Sequence, residues 1–194
     1  IFYSKLDEHH RPRKIFRHKL GSSVKDDQLI FKEKSEAFSV SIGLSSDEKY
    51  FFISASDHNT SEQYYFDINE KKPKPKLIQK RKKGIIYSVN SWDGFFYKHT
   101  NEDAEDFKIE ICKNLVEQNW EIFIPAKNEV LIGGLVFLKD WIIRSEISDA
   151  IGRLILRNPK TNNEEEIIFS DEKVIVPSIS LIQKDKDTNL VYLS

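Results

Sequence analysis

The serines before turns and the histidines are the residues of this chain that could take part in nucleophilic catalysis. A catalytic serine needs the sharp strand-to-helix turn of a G-x-S-x-G motif, with a histidine beside it that a carboxylate orients. The segment Gly43–Asp47 (GLSSD) begins in this way, but it lacks the second glycine and leads into another strand-like run. We interpret it as a strand end before a hairpin. His58 and His99 fall at or beside turns, where polar residues are common, so we predict no catalytic residue.

Metal and thiol chemistry have equally little support. His9, His10 and His18 do not have the spacing of a zinc site. Cys112 is the only cysteine, so no disulfide can form within the chain, and we interpret it as a half-buried thiol without a chemical role. We predict no metal and no cofactor. A lone thiol fits a reducing compartment, and we expect the protein in the cytoplasm.

The charge composition does not favour nucleic acid or a membrane surface. The 194 residues include 30 Lys and Arg and 31 Asp and Glu, so the chain is close to neutral. A basic run covers Lys71–Lys76 and Lys80–Lys83 and could indicate nucleic acid. It lies at a predicted outer strand, where charge protects a sheet edge from pairing, and we prefer that interpretation. No apolar run approaches the roughly 20 residues that span a bilayer. The chain has no Met and opens as if within a strand, so we expect a fragment.

A repeat of strands and turns organises the chain. Phe38–Ile68 reads as three strands joined by two polar turns, with a fourth strand at about Lys76–Lys80. The second strand of the pattern recurs at intervals of 44 residues (Phe51 to Phe95) and 46 residues (Phe96 to Ile142). Antiparallel four-stranded units with a period in the mid-forties are typical of β-propeller blades. We therefore predict an all-β chain that forms part of a β-propeller.

The predicted blades are 38–80, 85–125 and 129–170, with partial blades at 1–33 and 174–194. In the first of these partial blades we expect strands at Phe2–Leu6, Lys14–Leu20 and Gln28–Glu33, with Pro12 ending any pairing in the turn between the first two. Two arrangements of the propeller ring are compatible with this pattern. The last unit could complete the first to give a four-bladed ring, or the chain could be an arc of a larger propeller. An arc has raw edges, through which two copies could pair as a homodimer.

Three segments resemble a known family. They are Asp7–Gly21 (DEHHRPRKIFRHKLG), Ser56–Glu62 (SDHNTSE) and Thr100–Ile109 (TNEDAEDFKI), and they are similar to oligopeptidase B, or protease II, a branch of the prolyl oligopeptidase family of serine peptidases. The resemblance implies a two-domain enzyme that cleaves short peptides after Arg or Lys. A C-terminal α/β-hydrolase domain would carry the Ser-His-Asp triad, and a seven-bladed propeller would restrict the active site to small substrates.

The chain matches only part of that propeller, so the resemblance assigns no catalytic residue to it. We expect a non-catalytic, substrate-gating segment whose partners are the hydrolase domain and basic oligopeptide substrates. The alternative is a free-standing propeller that binds a protein or peptide, because fold alone does not separate the two.

Acidic turns offer one electrostatic role. In a propeller, the turns between second and third strands share an end with the links between blades, and here that end is net negative. This charge could steer cationic peptides at low salt. The alternative is that turns attract Asp and Asn for backbone reasons. The steering residues would be Asp57, Glu62, Glu102, Asp103, Glu105, Asp106, Glu146 and Asp149.

Overall fold

A computed structural model describes residues 1–168, 179–180, 186–190 and 192–193 of the chain. These residues form antiparallel strands that follow one another along the sequence, with one 3-10 turn at Val24–Asp26. The strands are β1 (Phe2–Leu6), β2 (Pro12–Arg17), β3 (Gln28–Lys32), β4 (Ser39–Leu44), β5 (Tyr50–Ser56), β6 (Ser61–Asp67), β7 (Lys76–Gln79), β8 (Tyr87–Trp92), β9 (Phe95–Thr100), β10 (Lys108–Cys112), β11 (Glu121–Ile124), β12 (Val130–Phe137), β13 (Ile142–Ser148), β14 (Ile151–Arg157), β15 (Glu164–Glu166), β16 (Ile179–Ser180) and β17 (Tyr192–Leu193).

Strands adjacent in sequence are adjacent in each sheet, which is the meander of a propeller blade. Sheet N contains β1 to β3, and sheets I, II and III contain β4 to β7, β8 to β11 and β12 to β15. A two-stranded sheet of β16 and β17 follows. The prediction of a partial β-propeller, with three four-stranded antiparallel sheets between incomplete ones, is confirmed. Most of the predicted last unit lies outside the described residues.

The prediction that Pro12 ends strand pairing is wrong. Pro12 opens β2 and lies opposite Leu6, so this strand runs over Pro12–Arg17 rather than Lys14–Leu20. A proline is tolerated as the first residue of a strand because its missing N–H breaks no ladder there. A register shift at Lys5 and Leu6 accommodates the irregular start of the pairing.

Two hairpins owe their tightness to residues with left-handed backbone. Asp93 and Gly94 join β8 to β9 with φ of 48° and 78°, and Asp149 and Ala150 join β13 to β14 with φ of 52° and 61°. Positive φ at both central residues is the requirement of the two-residue hairpin turn that matches the twist of the flanking strands. The sequence Asp-Gly meets this requirement at low cost, whereas Ala150 adopts it against its preference.

Apolar side chains between neighbouring sheets form the core. The cluster between sheets N and I includes Ile15, Val40, Ile53 and Phe66, each at most 2% exposed. Further clusters lie between sheets I and II and between sheets II and III. Each fully buried Phe or Ile contributes about 1.5–3 kcal/mol. The cluster between sheets I and II contains Phe52, Tyr65, Ile78, Tyr87, Val89, Phe96, Cys112 and Leu115. The cluster between sheets II and III contains Trp92, Tyr97, Ile109, Ile124, Ile132, Phe137 and Ile142.

A buried polar turn fixes sheet I against sheet II. The Asp47 carboxylate accepts hydrogen bonds from the hydroxyls of Ser45 at 2.7 Å and Ser91 at 2.8 Å, and its own N–H donates to the Ser91 carbonyl. Asp47 is 9% exposed. Since β4 ends at Leu44 and the chain turns directly into β5, the hairpin interpretation of this GLSSD segment is confirmed.

A β-bulge interrupts the first strand of sheet III. The register between β12 and β13 shifts between Ile132 and Leu135, so that Gly133 and Gly134 stand opposite the single residue Ser145. A Cβ on Gly133 would lie 2.1 Å from the Ser145 hydroxyl oxygen and 3.1 Å from its carbonyl oxygen. A Cβ on Gly134 would have no neighbour within 4 Å. The bulge therefore requires glycine at the first position only.

Gly133→Ala should lower the free energy of unfolding by about 1–3 kcal/mol, because the added methyl group overlaps Ser145. Gly134→Ala is the matched control and should change stability by less than about 1 kcal/mol, in either direction. Urea unfolding of both variants measures the difference. Equal stability of the two variants would contradict the bulge geometry.

Asp47→Ala should destabilise the protein by about 1–3 kcal/mol, because two buried serine hydroxyls lose their acceptor. Asp47→Asn keeps an acceptor oxygen and should cost less. Glu48→Gln removes a charge from the exposed neighbour in the same turn and should leave the thermal midpoint within about one degree. If Glu48→Gln is as damaging as Asp47→Ala, the turn acts through net charge and not through these bonds.

Candidate functional site

The end of the sheets that carries the links between them also carries the turns between second and third strands. Alternation of antiparallel strands places both kinds of segment there, and we call it the connection end. Six acidic residues of the predicted steering set lie in its turns or directly beside them. They are Asp57, Glu102, Asp103, Glu105, Asp106 and Asp149, and Asp103, Glu105 and Asp149 are exposed.

Asp57 stabilises its own turn. Its carboxylate accepts hydrogen bonds from the backbone N–H groups of Asn59 at 2.9 Å and Thr60 at 2.8 Å. These bonds, the one from Asn59 foremost, hold the pKa of Asp57 below its ordinary value. The geometry supports the backbone explanation for an aspartate at this position, while the charge still faces partly toward solvent.

The most acidic turn, Glu102–Asp106, connects β9 to β10 in sheet II and contacts sheet III. The Glu102 carboxylate accepts from the Gln79 side chain at 2.8 Å, which lowers its pKa, and it lies 3.5 Å from the Lys82 ammonium. The backbone carbonyl of Asp106 accepts from the Ile132 N–H of sheet III. The carboxylates of Asp103 and Glu105 have no ion-pair partner within the described part of the chain, so this turn keeps an exposed negative charge.

The placement of Glu62 in a turn is wrong. It lies in β6, is 4% exposed, and its carboxylate accepts from Arg81 at 2.8 Å and from the Tyr64 hydroxyl at 2.6 Å. Burial by itself would raise the pKa of Glu62, but these hydrogen bonds outweigh it and the pKa is lowered. A buried carboxylate that is neutralised by a guanidinium cannot steer a ligand.

Arg81 also binds Glu33 at 2.6 Å, which joins sheet N to sheet I. The two carboxylates are each 4% exposed, and the guanidinium lies 3.9 Å from the centre of the Phe38 ring. The pKa of Arg81 is raised, chiefly through the hydrogen bond with Glu62. The sequence interpretation treated Arg81 as part of a solvated basic run and missed this role.

The placement of Glu146 in a steering turn is also wrong. Glu146 lies in β13 and is 6% exposed. Its carboxylate accepts from Arg144 and from Lys127, each at 2.8 Å. Arg144 is 1% exposed and also donates two bonds to Glu164, which lower the pKa of Glu164 to about 2. A charged pair inside the apolar run Ile142–Ser148 was the available signal for this network.

No described histidine is placed to activate a serine. The His18 ring lies 2.7 Å from Asp27, which also accepts from the Tyr3 hydroxyl, and these contacts close the loop after β2. His99 lies in β9, not in a turn, and its Nε2 donates to the Ile132 carbonyl at 2.7 Å. Both histidines therefore fix structure, and His58 is exposed.

The thiol and the possible metal ligands offer no chemistry in the described residues. Cys112 is 4% exposed within the cluster between sheets I and II, and burial raises the pKa of its thiol. It is thus more buried than the sequence suggested. Across the described ranges, no three His, Cys, Asp or Glu side chains are grouped to hold a metal ion.

Residues of the basic run make structural contacts within and between sheets. Lys76 begins the outer strand β7, and its ammonium lies over the Tyr65 ring. The Lys71 carbonyl accepts from Arg17 of sheet N. The run therefore borders a sheet edge, as predicted. None of the described helical residues makes a segment long and apolar enough to cross a membrane.

Comparison with known proteins gives a family match along the entire sequence. Residues 1–194 match the model described as prolyl oligopeptidase, N-terminal beta-propeller domain. Protease 2 of Moraxella lacunata is 36% identical over 146 residues, which are 69% of this chain and 21% of that protein. The human prolyl endopeptidase-like protein is 25% identical over 144 residues, or 72% of this chain and 19% of the relative. The chain thus spans about a fifth of these relatives.

Solved structures show the same fold. Oligopeptidase B from Trypanosoma brucei, with covalently bound antipain, superposes with a TM-score of 0.90 at 24% identity and covers 99% of this chain and 29% of its own. Oligopeptidase B from Leishmania major superposes with a TM-score of 0.81 at 17% identity, over 93% of this chain and 26% of its own. At these identities the likeness shows the fold alone. With the match over residues 1–194, it follows that this chain belongs to the N-terminal β-propeller family of the prolyl oligopeptidases.

Proposed function

We propose that this chain is the substrate-screening propeller portion of a serine oligopeptidase and does no chemistry itself. The observation that carries the proposal is the match of all 194 residues to the propeller domain of a peptidase family. The described residues offer packed sheets and ion pairs but no serine with a histidine beside it. Its partner would be a C-terminal α/β-hydrolase domain, which would supply the triad.

The substrates would be short peptides cleaved after Arg or Lys, as the similarity to protease 2 and oligopeptidase B suggests. The charge of the connection end supports this preference. With Glu62 and Glu146 neutralised inside the sheets, steering would rest on the six turn carboxylates. Of these, Asp103, Glu105 and Asp149 are exposed and have no ion-pair partner among the described residues. Long-range attraction of this kind raises association rates and fades with salt.

The location would be the cytoplasm, where a single buried thiol such as Cys112 needs no oxidising partner. Pairing of two copies through a sheet edge would use an edge strand such as β1. The outer strand β15 is poorly suited to such pairing, because it consists of three exposed glutamates.

Reversing the charges of Glu102, Asp103 and Glu105 to Lys in the peptidase that contains the hydrolase domain should lower kcat/KM for an Arg-containing peptide. We expect a loss of about three- to tenfold at low salt that disappears near 0.5 M salt, because exposed charges are then screened. The measurement is kcat/KM against ionic strength.

The matched control reverses Asp26, Glu48 and Glu117, which are exposed and lie away from the connection end. This variant has the same net charge and should keep the salt dependence of the parent. The steering proposal is wrong if the two variants respond to salt alike.

A serine-reactive fluorophosphonate should not label this 194-residue chain, whereas it should label a longer protein that includes the hydrolase domain. Intact mass spectrometry gives the answer directly. Stoichiometric labelling of the chain alone would contradict the non-catalytic role. Failure of the longer protein to label would instead favour a free-standing binding propeller.

A further inference from the structure

A small cavity lies between sheets II and III, next to their first strands. Its volume is about 140 Å³. Since Ser88 and Gly134 are exposed, solvent reaches the cavity from the side of the inner strands β8 and β12. The residues that line it are Ser88, Asn90, Tyr97, His99, Gly134, Leu135 and Phe137.

The bulge in β12 creates this space. Gly133 fits against Ser145 and leaves no room for a side chain, while the extra residue Gly134 has no atom within 4 Å of the position of a Cβ. Gly134 itself lines the cavity and leaves space there that a larger residue would reduce. Bulges recur beside binding sites because they re-aim a strand locally.

Tyr97 contributes a hydroxyl that has no hydrogen-bond partner among the described residues. The residue is 6% exposed, and no described residue shares a hydrogen bond with its hydroxyl. Burial raises the pKa of Tyr97 to about 12, so the hydroxyl keeps its proton. Because Tyr97 lines the cavity, its hydroxyl can hydrogen-bond to a polar group bound there.

His99 contributes an acceptor. Its Nε2 lies 2.7 Å from the Ile132 carbonyl, which can only accept, so Nε2 carries the proton and Nδ1 is bare. The ring is held in place by stacking on Phe107, with the centroids 4.5 Å apart. Burial lowers the pKa of His99, which keeps the imidazole neutral. A neutral, oriented imidazole accepts a hydrogen bond from an O–H or N–H donor.

We propose that this cavity is a binding subsite for a benzene-sized ring that carries a hydrogen-bond donor, the group that a tyrosine side chain presents. Cavities of about 150 Å³ hold benzene in other proteins, so the volume is sufficient for one ring. Leu135 and Phe137 supply an apolar wall, and Ser88, Tyr97 and His99 supply the polar groups. Pockets of this mixed composition are typical of small-ligand sites.

Calorimetric titration of the protein with phenol tests the subsite. We expect saturable binding at one site. Gly134→Val should weaken it at least tenfold, because a larger side chain at this lining position reduces the space for a ring, while its Cβ meets no neighbour within 4 Å. Gly43→Val is the matched control, since Gly43 is also an exposed glycine of an inner strand with open space around its Cβ, and it should bind phenol as the parent does.

Two further comparisons test the polar contacts. Tyr97→Phe should weaken phenol binding about three- to tenfold, the value of one hydrogen bond, and anisole, which has no donor, should bind the parent more weakly than phenol. Absence of saturable binding, or equal binding by the two glycine variants, would overturn the proposal and leave water as the occupant. If Gly134→Val blocks binding but Tyr97→Phe and anisole change nothing, the assignment of a donor-bearing ligand is wrong.

Discussion

The contact between neighbouring sheets is the constraint on which this structure depends. A single four-stranded sheet cannot bury both of its faces, so each one is stable only when stacked. The apolar clusters between sheets provide most of the attraction, and buried charge is paired both between and within the sheets. Arg81 joins Glu33 and Glu62 between sheets N and I, whereas Lys98 and Lys108 hold Glu110 in sheet II and Arg144 holds Glu146 and Glu164 in sheet III. These ions are balanced, and removing one partner would leave a buried charge that opposes stacking.

On the proposed function, a stack of this kind shapes a path for a ligand rather than reacting with it. Its buried acids are paired with cations, His18 and His99 fix a loop and a strand, and its serine turn joins sheets I and II. The surface of the turns and the small cavity behind the β12 bulge are accessible to a ligand. Both are places where the strand pattern is interrupted, which is where rigid scaffolds usually carry function.

The strand pattern could be predicted from the sequence because each sheet alternates and its turns contain Asp, Asn, Ser or Gly. Burial of charge could not be predicted in the same way. Glu62 follows a polar turn and resembles a turn residue, yet its partner Arg81 lies 19 residues later in the sequence. Arg81 also binds Glu33, which lies 29 residues before Glu62. The effect of Pro12 could not be predicted from its presence, because its position at the start of β2 decides whether it breaks a ladder. The bulge could not be predicted either, because a Gly-Gly pair in a strand is equally compatible with a regular, weak strand.

Substrate size selection in the peptidase that contains the hydrolase domain tests the central claim most directly. The quantity is kcat/KM for a short Arg-containing peptide relative to that for a long unfolded polypeptide, measured in the parent and in Arg81→Met. Hydrogen exchange in β4 to β6 would verify that the substitution has loosened the stacking of sheets N and I. The account predicts that the long substrate is cleaved faster while the short peptide is cleaved at the parent rate. An unchanged ratio in a variant whose sheets have loosened would contradict the claim that the stacked sheets screen substrates.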